Sequence, residues 1–247
     1  MVDILNIICV KWGTKYTSEE VNKLFTNINE NLSISFIFTC FTDDPLGLSN
    51  NITPVIIPKN YNLDGYWNKL ALFEQDRFKG TNLYFDLDIY IQHPIDELLN
   101  YLTDDLTVIK AYWKDGLVTD GSVKQWEYRW NMDINSSVML WSGNSLAHIW
   151  RAFYNNPEYY MLQYKGIDRF VYHEGFKLNY FPEGMIYSRF HGCYTDTEKE
   201  IPFKKLYFNQ TPSKLVPEKE IYLYELPTAL VCLYNGPCKH DWMKLVS

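Results

Sequence analysis

Two aspartates spaced two apart in an apolar run, Leu83-Tyr84-Phe85-Asp86-Leu87-Asp88-Ile89-Tyr90-Ile91, are the residues whose types and spacing could do chemistry. In an extended strand alternate side chains share a face, so Asp86 and Asp88 converge while Leu87 points into apolar surroundings. Two ionised acids in so hydrophobic a run are costly unless a cation, hydrogen bonds or water pairs with them. Their hard oxygens suit magnesium or manganese, which in turn neutralise phosphate oxygens. The plain alternative is a pair of acids at a solvated strand end with no role.

Other elements must carry partners to that pair. Ile4 to Val10 is expected as a buried first strand that closes in Lys11-Trp12-Gly13-Thr14-Lys15-Tyr16. Thr17 and Glu20 form a capping-box pattern ahead of Val21, Leu24, Phe25 and Ile28 at helical spacing, which predicts a helix. Ser33 to Phe41 reads as a second strand ending in the loop Thr42-Asp43-Asp44-Pro45-Leu46-Gly47. Ile52 to Ile57 is a third strand, and Trp67, Leu70, Ala71, Phe73 and Glu74 fit a helix opened by the Asp64-Gly65 turn. After the Asp86/Asp88 strand come a helix starting near Pro94 and a strand from Leu106 to Tyr112. This alternation predicts an α/β fold: a mostly parallel, doubly wound (Rossmann-like) central sheet flanked by helices. Ligands in such sheets gather at the carboxyl ends of the strands, so the segments holding Trp12 and Gly13, Asp43, and Asp86 can reach one cleft.

The second half is less regular. Trp113 to Trp130 is a polar, Gly-containing stretch whose tryptophans fit either a sugar-binding platform or core packing. Asn135 to Trp141 reads as a strand, and Leu146 to Tyr154 as a helix capped near Asn144 or Ser145. Pro157 to Tyr172 is expected to be helical with a break at Gly166, Phe176 to Ser188 to be a hairpin turning at Pro182-Glu183-Gly184, and Ala229 to Tyr234 to be a strand. No repeat or linker divides the chain. Residues 1–247 are therefore expected to form one domain, with a nucleotide-binding half (1–112) and an acceptor-binding half (113–247).

A chain of 247 residues can bury most of its surface around one core. Its net charge of −7, without a dense Lys/Arg block, argues against a nucleic-acid backbone or an anionic membrane as partner. A phosphate-bearing small molecule stays open, because a bound metal inverts the local charge. Cys9, Cys40, Cys193, Cys232 and Cys238 are scattered without metal-ligand spacing and read as reduced thiols of a cytoplasmic protein. The first residues lack a basic n-region, and no segment approaches the ~20 apolar residues of a transmembrane span.

Taken in order, Asp86-Leu87-Asp88, Asn135-Ser136-Ser137-Val138-Met139-Leu140, Gly166-Ile167-Asp168 and Leu233-Tyr234-Asn235-Gly236-Pro237-Cys238-Lys239 span most of the chain. In order and separation they resemble the nucleotide-sugar glycosyltransferases of the GT-A fold, in the style of the glycogenin and bacterial galactosyltransferase group. The resemblance implies a manganese (or magnesium) ion held by Asp86 and Asp88 against a nucleoside diphosphate. It also implies base contacts from Trp12, Gly13 and Tyr16, phosphate contacts from Lys69 and from Gly236 and Lys239, and Asp168 and Asn135 beside the reacting sugar. Its partners would be a nucleotide-sugar donor, a UDP-sugar by the same resemblance, and a carbohydrate or glycoconjugate acceptor, with retention of anomeric configuration.

The chain departs from that pattern at Leu233, which stands where the group carries a metal-binding histidine and has no donor atom. His240, just after Lys239, can offer an imidazole nitrogen instead, and Asn235 a weaker amide oxygen. Two other functions fit parts of the sequence. A haloacid-dehalogenase-type phosphohydrolase would use Asp86 as nucleophile, although here Ile89-Tyr90 follows the pair where Gly-Thr is usual. A non-catalytic carbohydrate-binding protein would use the tryptophan-rich stretch without any metal.

Overall fold

A computed structural model describes residues 4–111, 132–164, 166–192, 203–207 and 220–235. The first strand, β1 (Leu5–Lys11), pairs in parallel with β2 (Ile37–Thr42) and with β4 (Thr81–Phe85), while β3 (Ile52–Ile56) extends the sheet beyond β2. β7 (Ile134–Ser142) lies antiparallel between β4 and β6 (Leu106–Lys110), and β8 (Leu178–Tyr180) closes the far edge in parallel with β6. The order is β3-β2-β1-β4-β7-β6-β8, so the expected mostly parallel α/β sheet is present, with one antiparallel strand at its heart.

Period-two alternation sorts the strand side chains to two cores. Ile7, Cys9, Phe38, Cys40, Leu83, Phe85, Val138 and Leu140 pack on one face with Val21, Leu24 and Ile28 of helix α1 (Ser18–Asn31). Ile8, Phe41, Tyr84, Met139 and Trp141 pack on the other with Trp67, Leu70 and three further helices, α2 (Ala147–Tyr154), α3 (Pro157–Tyr164) and α4 (Ile167–His173). The break between α3 and α4 falls at Gly166, as expected.

α1 begins with the expected capping box. Glu19 N–H donates to Thr17 Oγ1 at 3.2 Å, and Glu20 Oε2 accepts from the Thr17 N–H at 2.8 Å. This fixes the chain direction directly after Tyr16.

Several expectations need correction. Residues 83–91 are not one strand: β4 ends at Phe85, and β5 (Ile89–Ile91) belongs to a second sheet of order β5-β12-β9, with β12 at Val231–Leu233 and β9 at Ile186–Ser188. Phe176 to Ser188 is not a hairpin either. A turn closes there, with Met185 N–H donating to Pro182 O at 3.3 Å, yet β8 and β9 join different sheets. The helices expected before and after the aspartates are 3₁₀ segments, Gly65–Phe73 and Asp96–Tyr101. In the first, Trp67 to Phe73 are all buried, so it has no polar stripe of the kind a surface helix keeps. α2 has no side-chain cap, because its N-cap position falls on Leu146, and Asn144 instead uses its amide on Asp76 at 2.7 and 2.8 Å. β10 (Phe203–Tyr207) and β11 (Glu220–Tyr224) form a separate antiparallel pair. No helix among the described residues is long and apolar enough to cross a membrane.

Thr17→Ala removes the cap that orients α1. Urea denaturation should show a loss of about 1 kcal/mol, the usual cost of a lost N-cap.

Candidate active site

The aspartate pair occupies the break between the two sheets. Asp86 N–H makes a last rung to Ser137 O of β7 at 2.8 Å, and Asp88 O takes a first rung from Tyr234 N–H, just past β12, at 2.8 Å. Leu87 between them is buried in the core under α1. Both carboxylates face an open cleft of about 660 Å³. The expected convergence of Asp86 and Asp88 holds, although they have left the strand.

Each carboxylate is held by neighbours. Asp86 Oδ1 accepts from Lys69 Nζ at 2.6 Å and from Tyr84 OH at 2.5 Å, and the Lys69 ammonium also lies 5.2 Å from the Tyr84 ring centre. Both of these contacts fall on Oδ1, so Oδ2 is the Asp86 oxygen left to a ligand. Asp88 Oδ2 accepts from Tyr16 OH at 3.0 Å. Burial first, and then the Asp88 and Asp86 charges, push the Tyr16 phenol well above its ordinary range; burial and Asp86 do the same to Tyr84. Both therefore stay protonated and act as neutral donors. Tyr84 has no role in the sequence reading. Its signal was available, since residues two apart in a strand share a face.

The loops after β1 and β2 brace one wall. Gly13, with φ of 63°, donates its N–H to Asp43 Oδ2 at 3.0 Å, and Lys11 Nζ donates to Asp44 O at 3.0 Å. Trp12, 38% exposed, and Tyr16 face the cleft. Gly13 and Asp43 do not line it; Gly13 follows Trp12 in the loop after β1, and Asp43, in the loop after β2, braces that loop.

The opposite wall comes from an irregularity in β7. The β6 register jumps from Val108↔Met139 to Ile109↔Asn135, so Ser136 to Val138 have no partner on that side. Such bulges occur next to active sites, where they re-aim side chains. The released Ser136 N–H donates to Asp168 Oδ1 at 3.1 Å and the Ser137 N–H to Asn135 Oδ1 at 2.9 Å. Asp168 thus holds β7 rather than capping its own helix, whose N-cap is Gly166 without a side-chain bond. Asn135, Asp168 and Asn235 all line the cleft. Gly236, Lys239, His240 and the stretch from Trp113 to Trp130 lie outside the described residues.

The sequence matches no protein-family model, and no curated protein matches it. Solved structures do. The galactosyltransferase LgtC in complex with donor and acceptor sugar analogues aligns over 98% of this chain and 95% of its own, with a TM-score of 0.57 at 13% identity. An active-site mutant of LgtC aligns over 97% and 94%, with 0.56 at 14%. The bifunctional glycosyltransferase WbbM, without ligand, covers all of this chain and 50% of its own, with 0.58 at 10%. The fold is that of these GT-A glycosyltransferases.

Within the GT-A frame, the donor set can be weighed against a divalent ion. Among the described residues no group of three or more His, Cys, Asp or Glu side chains could hold a metal. Two carboxylates do face the cleft together, steadied by Lys69 and two phenols. Their oxygens fit magnesium or manganese, ions that keep part of their shell for water and substrate phosphates.

The phenols also set a pH dependence. Tyr16 holds its proton in the folded state at pH values where the unfolded chain has released it. Its contribution to stability is thus complete below about pH 10 and is lost as pH rises above it. Denaturation curves from about pH 8 to 11 should show stability falling beyond pH 10, and less steeply in Tyr16→Phe. Equal slopes in both proteins would contradict burial of the Tyr16 phenol beside the two aspartates.

Proposed function

We propose that the protein is a metal-dependent glycosyltransferase that moves a sugar from a nucleotide-sugar donor, a UDP-sugar, to a carbohydrate or glycoconjugate acceptor. The observation that carries this reading is the Asp86/Asp88 loop opening, with Lys69, onto a cleft walled by Trp12 and Tyr16. The fold shared with LgtC and WbbM, both glycosyltransferases, supports it.

When bound, a manganese or magnesium ion would neutralise the diphosphate and ease departure of the nucleotide. The chain's own residues do the rest by position and charge. Asp86, through Oδ2, and Asp88 would serve as the protein's oxygen ligands, and His240, Gly236 and Lys239 remain the proposed C-terminal contacts. Lys69, already 2.6 Å from Asp86, keeps that carboxylate in place and adds positive charge beside the phosphates. Trp12 and Tyr16 offer aromatic surface to the base, with Gly13 and Asp43 bracing their loop. Asn135 and Asp168 sit on the far wall, where the sugar and acceptor would meet. Retention of configuration follows the group that the sequence resembles.

The cleft draws Trp12, Lys69, Asp86 and Asp88 from residues 1–112, and Asn135 and Asp168 from residues 113–247. That supports a single domain with a donor half and an acceptor half. Cys9, Cys40 and Cys232 are buried and in the thiol form, in keeping with the cytoplasmic location expected from the sequence. The phosphohydrolase alternative rested on the Asp-x-Asp spacing at the end of an apolar strand; the fold shared with LgtC and WbbM favours the glycosyltransferase reading instead.

Two measurements test this. With manganese and no acceptor, the protein should slowly hydrolyse a UDP-sugar, as water enters the open acceptor side. Sugar binding without turnover and without a metal requirement would instead mark a non-catalytic binder. Asp88→Asn should keep the fold and weaken manganese-dependent UDP binding by about a hundredfold or more, since even groups behind metal ligands cost about 10–100-fold when removed. Undiminished UDP affinity in Asp88→Asn would refute the metal assignment.

A further inference from the structure

Ser188 and Asn235 settle a question of hydrogen-bond bookkeeping beside the aspartate pair. The Ser188 hydroxyl is fully buried. Its oxygen accepts from Phe190 N–H at 3.2 Å and from His191 N–H at 3.0 Å. A serine hydroxyl has two lone pairs and one proton. With both lone pairs engaged, its remaining contact, 2.6 Å to the Asn235 amide, must be a donation. Only the carboxamide oxygen can accept it. Asn235 Oδ1 is thereby turned to Ser188, and the NH₂ end is left to the cleft that Asn235 lines.

The location gives this orientation a use. Tyr234 N–H donates to Asp88 O, so Asn235 is the next residue after the rung that fixes the aspartate loop. An NH₂ group there cannot ligate a cation, and it can donate to an oxyanion. A ligand that approaches the two carboxylates through a divalent ion brings phosphate oxygens to that spot.

We infer that Asn235 is a diphosphate-binding residue, oriented by Ser188, and not the missing metal ligand that its amide oxygen could have supplied. The inference rests on the nucleotide-sugar reading above. Ser188 is a positioning residue: it does not line the cleft and acts through Asn235.

The test is calorimetric titration of UDP and GDP into full-length wild type, Asn235→Ala, Asn235→Asp and Ser188→Ala at saturating manganese. Manganese affinity without nucleotide is measured in parallel by electron paramagnetic resonance. Asn235→Ala should weaken the better-bound nucleotide by about tenfold, in line with a hydrogen bond to a charged group, and leave manganese affinity unchanged. Asn235→Asp should weaken the nucleotide further, by repulsion, while binding manganese more tightly. Ser188→Ala should also lose nucleotide affinity, although its side chain is out of reach. Unchanged nucleotide affinity in Asn235→Ala, or tighter binding of both manganese and nucleotide in Asn235→Asp, would overturn the inference alone. Failure of wild type to bind either nucleotide with manganese would overturn the donor-site reading and this inference with it.

Discussion

The site depends on one backbone constraint: three residues bridge two sheets and are pinned at both ends. Asp86 is held to the large sheet through Ser137, and Asp88 to the small sheet through Tyr234, each by a 2.8 Å backbone bond. Between them Leu87 goes into the core. Two chain directions are thus set within three residues, and the two carboxylates have nowhere to turn but the cleft. A loop free at either end would spread like charges apart, because their repulsion is strong where little water screens it.

The same constraint explains why the surroundings are polar but not simply basic. Lys69 offsets one carboxylate directly, while Tyr16 and Tyr84 supply donors that burial keeps neutral. These donors hold the two acids in place, and carboxylate oxygens facing such a cleft suit a hard divalent cation. The bulge in β7 adds a matching device on the far wall. It frees two backbone N–H groups, and the acid and amide that would face a sugar are the groups that take them up. Rigid strands on both sides thereby fix side chains that in an ordinary loop would be mobile.

Much of this was legible in the sequence because it is local. The capping box after Tyr16, the break at Gly166 and the strand carrying Asn135 are all written in short-range spacing. What was not legible depends on partners distant in the chain. An apolar run such as 83–91 reads as one strand, since periodicity cannot show that β4 pairs with β1 and β7 while β5 pairs with β12. For the same reason Phe176 to Ser188 looked like a hairpin. Asn235 shows the limit for a single residue. Its amide could serve as ligand or donor on paper, and only Ser188, 47 positions away, decides between the two.

The most direct measurement of the central claim is anomalous diffraction, above the manganese absorption edge, from crystals grown with manganese and UDP. A single strong peak is predicted within ligating distance of Asp86 Oδ2 and of the Asp88 carboxylate, with the diphosphate against it and Lys69 and Tyr84 still on Asp86 Oδ1. UDP bound in the cleft without a manganese peak at Asp86 and Asp88, or a peak elsewhere on the molecule, would contradict the account.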